Sequence, residues 1–237
     1  SRSIDYGYVA GGEPSLVHIN KWSFASGAQN ATDVGDLTVG RGFGDGTASG
    51  THCYWHGGSP PYYSNVIDKN SVSTDGNAVD HGDITTARTH VHGQNSTTHG
   101  YCCGQGSNTG PQNVIDKFSF SSSAGSSDIA DMTVGRYAGA GTSSSTHGFN
   151  VGGVISSGPL QNVIDKFPFA TDSNATDHGD LYVAAKYCAG ASSTTHGYQS
   201  GMTNGFPANE DQIQKFAIAS NTTGSDAGNL VIDKTLP

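Results

Sequence analysis

The chain has 237 residues, of which 34% are hydrophobic and 13% charged, with 34 glycines and a formal net charge of −9. Its 11 Lys+Arg are spread thinly, so it lacks the basic face that phosphates or an anionic membrane surface require, and nucleic acid is excluded as a partner. No apolar run approaches the ~20 residues of a membrane helix, which excludes membrane insertion by that route, and the low charge sets the composition apart from disordered chains.

In chain order the sequence repeats one block of about 48 residues five times, over approximately 1–50, 51–97, 98–145, 146–194 and 195–237. One landmark is Thr-His-Gly followed by an aromatic: Thr98-His99-Gly100-Tyr101, Thr146-His147-Gly148-Phe149 and Thr195-His196-Gly197-Tyr198, with Thr51-His52-Cys53-Tyr54 and a degraded Asp5-Tyr6-Gly7-Tyr8. A second, NVIDKF, carries a lysine at Lys21, Lys69, Lys117, Lys166 and Lys215. A third reads GDLTVGR. A period in the forties with strand-like content implies radially repeated sheets. The expected fold is all-β, a single five-bladed propeller domain over 1–237 with four antiparallel strands per blade.

Within the fourth copy, GAGTSSST is small enough for an inner strand crowded near the axis. His147-Gly148 is expected to form a tight turn, with glycine supplying a backbone conformation most residues avoid. FNVGG forms the second strand. NVIDKFPF alternates Val163, Asp165, Phe167 and Phe169 against Ile164, Lys166 and Pro168, the period of a half-buried third strand. ATDSNATDHG reads as the next hairpin connection and DLYVAA as the outermost, fourth strand. The ends are expected to meet and close the ring, which removes exposed strand edges; an open fragment of a longer array is the alternative.

The double glycine after an aromatic strand (Tyr8 to Gly11-Gly12, Tyr54 to Gly57-Gly58, Phe149 to Gly152-Gly153) resembles the kelch repeat, as does the arginine at Arg41, Arg88 and Arg136. The third and fifth copies depart from the doublet, with Gly104-Gln105-Gly106 and Gly201-Met202, and tryptophan is not a repeated feature. The combination SSSTHGF, NVIDKFSF and DMTVGR is similar to tandem-repeat virion structural proteins of marine tailed phages, notably those infecting cyanobacteria. That resemblance implies a virion or extracellular component rather than a reaction.

His52, His99, His147 and His196 share one repeat position. A metal near the axis would use imidazoles, but equivalent residues on five blades lie on a circle, whereas ligands must come within ~2 Å of one ion. The expectation is a structural histidine whose ring bonds a neighbouring blade's backbone. Asp33, Asp80, Asp128, Asp177 and Asp226 recur in all five copies, followed three residues later by Asp36, Asp83, Asp131 and Asp180, with Asn229 in the fifth. They are candidates for a structural calcium, the one cofactor considered, but lack EF-hand spacing. As structural residues they would accept backbone hydrogen bonds in turns, or pair with the repeated lysines or with Arg41, Arg88 and Arg136. Cys53, Cys102, Cys103 and Cys188 match no zinc spacing. A bridge from Cys53 to Cys102 is geometrically open, buried free thiols being the other reading. The sequons at Asn30, Asn95, Asn174 and Asn221 arise easily in such hairpins.

The sequence holds no GxSxG elbow, P-loop or HExxH, and Glu13 and Glu210 lie in different variable loops. A copper oxidase of kelch architecture needs a tyrosine–histidine cluster that breaks the symmetry, and the sequence assembles none. What does vary is the loop after each second strand, where recognition is usually placed on a rigid scaffold; Trp55, Tyr62, Tyr63 and Phe206 are the candidate binding residues. The reading is a non-enzymatic structural or adhesion module of a phage particle that contacts other virion or surface proteins or host glycans. The alternative is a carbohydrate-binding propeller with repeated weak sites that gain from avidity.

Overall fold

The computed structural model describes residues 5–25, 30–59, 63–104, 106, 110–156, 158–203 and 211–231. Five antiparallel sheets form a five-bladed propeller, and there is no helix among the described residues. Blade 1 holds β1 (Tyr6–Ala10), β2 (His18–Ser23) and β3 (Thr32–Asp36), three strands among the described residues. Blade 2 holds β4 (Asp45–Ala48), β5 (His52–His56), β6 (Ser64–Ser71) and β7 (Val79–Arg88). Blade 3 holds β8 (His92–Asn95), β9 (His99–Cys103), β10 (Val114–Ser119) and β11 (Ser126–Asp131). Blade 4 holds β12 (Ala140–Ser143), β13 (His147–Val151), β14 (Val163–Pro168) and β15 (Thr176–Asp180). Blade 5 holds β16 (Ala185–Ser192), β17 (His196–Thr203), β18 (Gln212–Ala217) and β19 (Ser225–Asn229). Each sheet is a meander in chain order, running in blades 2 to 5 from the inner strand outward.

Two sequence expectations are corrected here. Gly148 is not a turn residue: it lies within β13, opposite Phe167, whose ring atoms come within 2.3 Å of where a Cβ would stand. Gly100 and Gly197 do the same for Phe118 and Phe216. The strand glycine therefore makes room for a cross-strand aromatic. The outermost strand is also not DLYVAA but the more polar TDHGD of β15. Leu181 instead leaves the sheet and enters the core. In all five blades the outer strand carries the repeated aspartate's bulge: Asp33, Asp80, Asp177 and Asp226 accept the amide two residues on, from Gly35, Gly82, Gly179 and Gly228, and Asp128 accepts that of Ala130.

Apolar clusters lie between blades rather than within them. Tyr8, Cys53 and Trp55 join blades 1 and 2; Tyr54, Cys102 and Phe118 join 2 and 3; Tyr101, Cys103 and Phe167 join 3 and 4; Phe149, Leu181 and Phe216 join 4 and 5. Burial of such rings is worth roughly 1.5–3 kcal/mol each, and it is realised only when neighbouring blades stack. None of the four cysteines is in a disulfide, so the bridge from Cys53 to Cys102 that the sequence left open is not formed.

The connectors add a polar lock. At three interfaces a Thr-x-x-Arg segment, following the outer strand in blades 1 and 3 and ending β7 in blade 2, reaches into the next blade and grips the aspartate of VID. Arg41 Nη2 lies 2.6 Å from Asp68 Oδ2, Arg88 Nη2 2.7 Å from Asp116 Oδ2, and Arg136 Nη1 2.9 Å from Asp165 Oδ2. Thr38, Thr85 and Thr133 donate both hydroxyl and backbone N–H to the same carboxylates. The three aspartates are fully buried, and these donors are what makes a buried charge tolerable. At the fourth interface Ala185 stands at the arginine position and Gln214 at the aspartate position. Gln214 there bonds Val183 through both amide atoms, at 2.7 and 3.0 Å, and donates to Gln199 at 2.8 Å. The arginines thus serve the VID aspartates, not the outer-strand set that the sequence also allowed.

Around the axis, β4, β8, β12 and β16 approach one another through glycine. A Cβ on Gly93 would stand 2.9 Å from Gly46 O, one on Gly141 2.3 Å from Gly93 O, and one on Gly190 2.3 Å from Gly141 O. Gly141→Ala is accordingly expected to destabilise by about 1–3 kcal/mol, as overpacking does. Thermal melts check this; an unchanged midpoint would show that the inner strands can separate without cost.

Candidate functional site

The predicted site residues do not converge. Trp55 is a core residue, 6% exposed, on the face of β5 that meets blade 1. Its Nε1 donates to Asn70 Oδ1 at 2.7 Å, and it lines a cavity of about 290 Å³ together with Arg41, Phe43 and Asp45. Tyr63 is half-buried. Tyr62 and Phe206 lie outside the described residues.

The repeated histidines are structural, but not as expected. Nδ1 of His52, His99, His147 and His196 contacts the hydroxyl of the preceding threonine at 2.8–2.9 Å. Each histidine N–H also donates to a serine hydroxyl three residues before it at 3.0 Å. They brace their own turns. Rings that do bond backbone toward a neighbouring blade include His81, to Ser119 O at 2.8 Å, His178, to Ala217 O at 2.9 Å, and His92, which accepts the Gly139 N–H at 2.7 Å. Among the repeated lysines, Lys21 pairs with Asp75 at 2.6 Å and Lys117 with Asp172 at 2.7 Å. Both partners come from the following blade, outside the outer-strand aspartates.

Of the calcium candidates, only Asp33 joins a group of potential ligands among the described residues. His18 Nδ1 lies 2.9 Å from Asp33 Oδ2 and 3.4 Å from Asp36 Oδ1, on an exposed edge of blade 1. An imidazole in the set departs from the all-oxygen shell that calcium prefers. Asp80, Asp128, Asp177 and Asp226 belong to no such group among the described residues.

The feature that sequence reasoning missed is the axial channel. Two cavities, of about 560 and 410 Å³, share Gly46, Gly93, Gly141 and Gly190 as their common waist. The larger is lined by small polar residues such as Ser96, Thr142 and Ser144. The smaller opens among Phe43, His90 and Tyr187. These residues and Ala138 each stand two positions after Arg41, Arg88, Arg136 or Ala185, and all four have positive φ: 52°, 53°, 57° and 51°. That conformation builds a backbone belt around the axis. His90 N–H donates to Phe43 O at 2.7 Å, Ala138 N–H to His90 O at 3.2 Å, and Tyr187 N–H to Ala138 O at 2.5 Å.

The side chains of the belt form an aromatic cluster drawn from different blades. Phe43 stacks on His90 with centroids 4.4 Å apart, and Tyr137 and Tyr187 meet the His90 ring at 5.8 and 5.7 Å. Phe43 remains 45% exposed and Tyr187 37%. Burial pulls the His90 pKa down, which favours a neutral ring. Deeper in, Asp45 accepts N–H bonds from Gly46 and Gly93, both at 2.7 Å. Burial pushes its pKa up. A tyrosine–histidine cluster that breaks the repeat symmetry therefore exists, although no residue pattern announced it. Compared with known proteins, the chain matches no protein-family model and no curated protein, so the reading of this site rests on its own geometry.

Proposed function

We propose that this chain is a non-enzymatic structural and adhesion module of a phage particle: an extracellular appendage, fibre or decoration component that contacts other virion proteins or a host surface. The supporting observation is where the repeated polar groups spend their bonds. The arginine–aspartate locks are committed to joining blades, and the turn histidines and outer-strand aspartates to bracing their own turns and bulges. Such a scaffold presents loops and an axial mouth with little internal freedom, which suits recognition. The resemblance of the repeat to virion proteins of marine tailed phages supplies the setting. An antibody against the protein should decorate purified particles in electron micrographs and detect it among their proteins. Its absence from particles, with the protein present in the infected-cell lysate, would overturn the virion role.

A second reading, a carbohydrate-binding propeller, is favoured by the aromatic cluster of Phe43, His90, Tyr137 and Tyr187.

A further inference from the structure

We propose that the aromatic mouth of the axial channel is a single binding site for a neutral saccharide, held by Phe43, Tyr187, His90 and Asp45. The inference deepens the carbohydrate-binding reading and rests on it, replacing repeated weak sites on the blades with one site on the axis.

The first argument is conformational. A bulky residue with positive φ is strained by about 1–3 kcal/mol, and such strain concentrates at ligand sites. The belt needs only backbone at these positions, as Ala138 demonstrates by bonding both neighbours without a ring. Glycine would fill the position at lower cost. Phe, His and Tyr are nonetheless found at the other three. Their rings are surplus to the architecture, and two of them remain well exposed at the cavity.

The second argument is chemical. The inner strands β4, β8, β12 and β16 carry Asp45, His92, Ala140 and Ala189 at one repeat position, so among the described residues the carboxylate occurs on one of them. Both Asp45 oxygens already accept one N–H, and each keeps a lone pair for a hydroxyl donor. The inner strands also end their sheets: each is paired on its outward side alone among the described residues. Their other edge offers backbone donors and acceptors toward the channel. Among the described residues no lysine or arginine lines the cavity, and the Asp45 carboxylate does, which disfavours a phosphate, sulfate or carboxylate ligand. Aromatic faces beside mixed neutral donors and acceptors match a hydroxyl-rich, uncharged ring. The cavity, at about 410 Å³, falls within the range of small-molecule sites.

The test uses the full chain and its variants Phe43→Gly and Tyr187→Gly, which remove a ring while keeping the left-handed backbone that glycine adopts freely. Glucose, galactose, mannose, N-acetylglucosamine and their β-linked disaccharides are titrated calorimetrically, with sialic acid and choline as charged comparators. Melting curves confirm that the variants fold. Saturable binding of a neutral sugar, weakened roughly tenfold or more in each variant, is the expected result. Neutral-sugar binding that survives in both variants overturns the axial site while leaving the carbohydrate reading standing. Binding of choline or sialic acid alone overturns the saccharide assignment. Silence toward every probe overturns both the site and the carbohydrate reading, with the particle role judged separately by the antibody experiment.

Discussion

Asp116→Ala should lower the free energy of unfolding by about 3–5 kcal/mol, among the largest effects available to a single substitution. The carboxylate is fully buried and receives Arg88, the Thr85 hydroxyl and the Thr85 amide. Removing it strands the Arg88 guanidinium, whose Nε and Nη1 already have no hydrogen-bond partner among the described residues. The chain itself supplies the control. Between blades 4 and 5 the same two positions are Ala185 and Gln214, a neutral solution held by amide bonds to Val183. The double variant Arg88→Ala, Asp116→Gln should therefore recover most of the loss, because deleting a whole buried pair costs far less than orphaning one member. Urea unfolding of the singles and the double, read as a double-mutant cycle, gives the coupling. Should the double variant be as unstable as the sum of the singles, the lock is not the unit of stabilisation described here.

Acid should unfold the protein through two buried histidines. His56 and His92 are both 0% exposed. Burial, reinforced by nearby arginines, depresses their pKa from 6.5 to about 3. Neither nitrogen of His56 has a hydrogen-bond partner among the described residues. Nε2 of His92 accepts the Gly139 N–H at 2.7 Å, so it must be unprotonated. The unfolded chain takes up these protons near pH 6.5, whereas the folded chain resists them until about pH 3. The unfolded state thus binds more protons throughout that window, and stability falls as the pH drops through it. Above pH 6.5 the contribution is complete, at an upper bound on the order of 5 kcal/mol per histidine. His56→Val, the residue at the matching place in blade 4, Val151, should flatten part of this slope. Unfolding free energies measured across the window for both proteins decide it; parallel pH profiles would show that His56 contributes nothing to acid lability.

The repeat was legible because its period is written in residue identities: the lysine of each third strand recurs at nearly constant spacing, and that alone fixed five blades. The outer strand was misplaced for a physical reason. LTVGR has the β-branched look of a strand, yet Leu37 turns into the core while Thr38 and Arg41 reach forward to Asp68. TDHGD, which pairs as β15, carries a bulge and reads as a turn. The locks could have been found: arginine and VID aspartate are lost together, at Ala185 and Gln214, a correlated change inside one chain. The burial of Trp55 against blade 1 was not legible, because an aromatic beside a variable loop gives no sign of which face of its strand is covered. The axial cluster stayed hidden because its repeat position holds Phe43, His90, Ala138 and Tyr187. What is repeated there is a backbone conformation, and residue identity does not report it.

The unequal locks bear on how so repetitive a chain avoids assembling in the wrong order. Near-identical modules are prone to swapped or skipped neighbours during folding. If blade 5 docked where blade 3 belongs, the neutral Gln214 would face Arg88 and a guanidinium would be buried without a counter-ion. If blade 3 docked onto the connector that carries Ala185, Asp116 would lose its cation. Each exchange meets an electrostatic mismatch of several kcal/mol, so the neutral joint acts as a proofreading mark that tells the last module from its siblings.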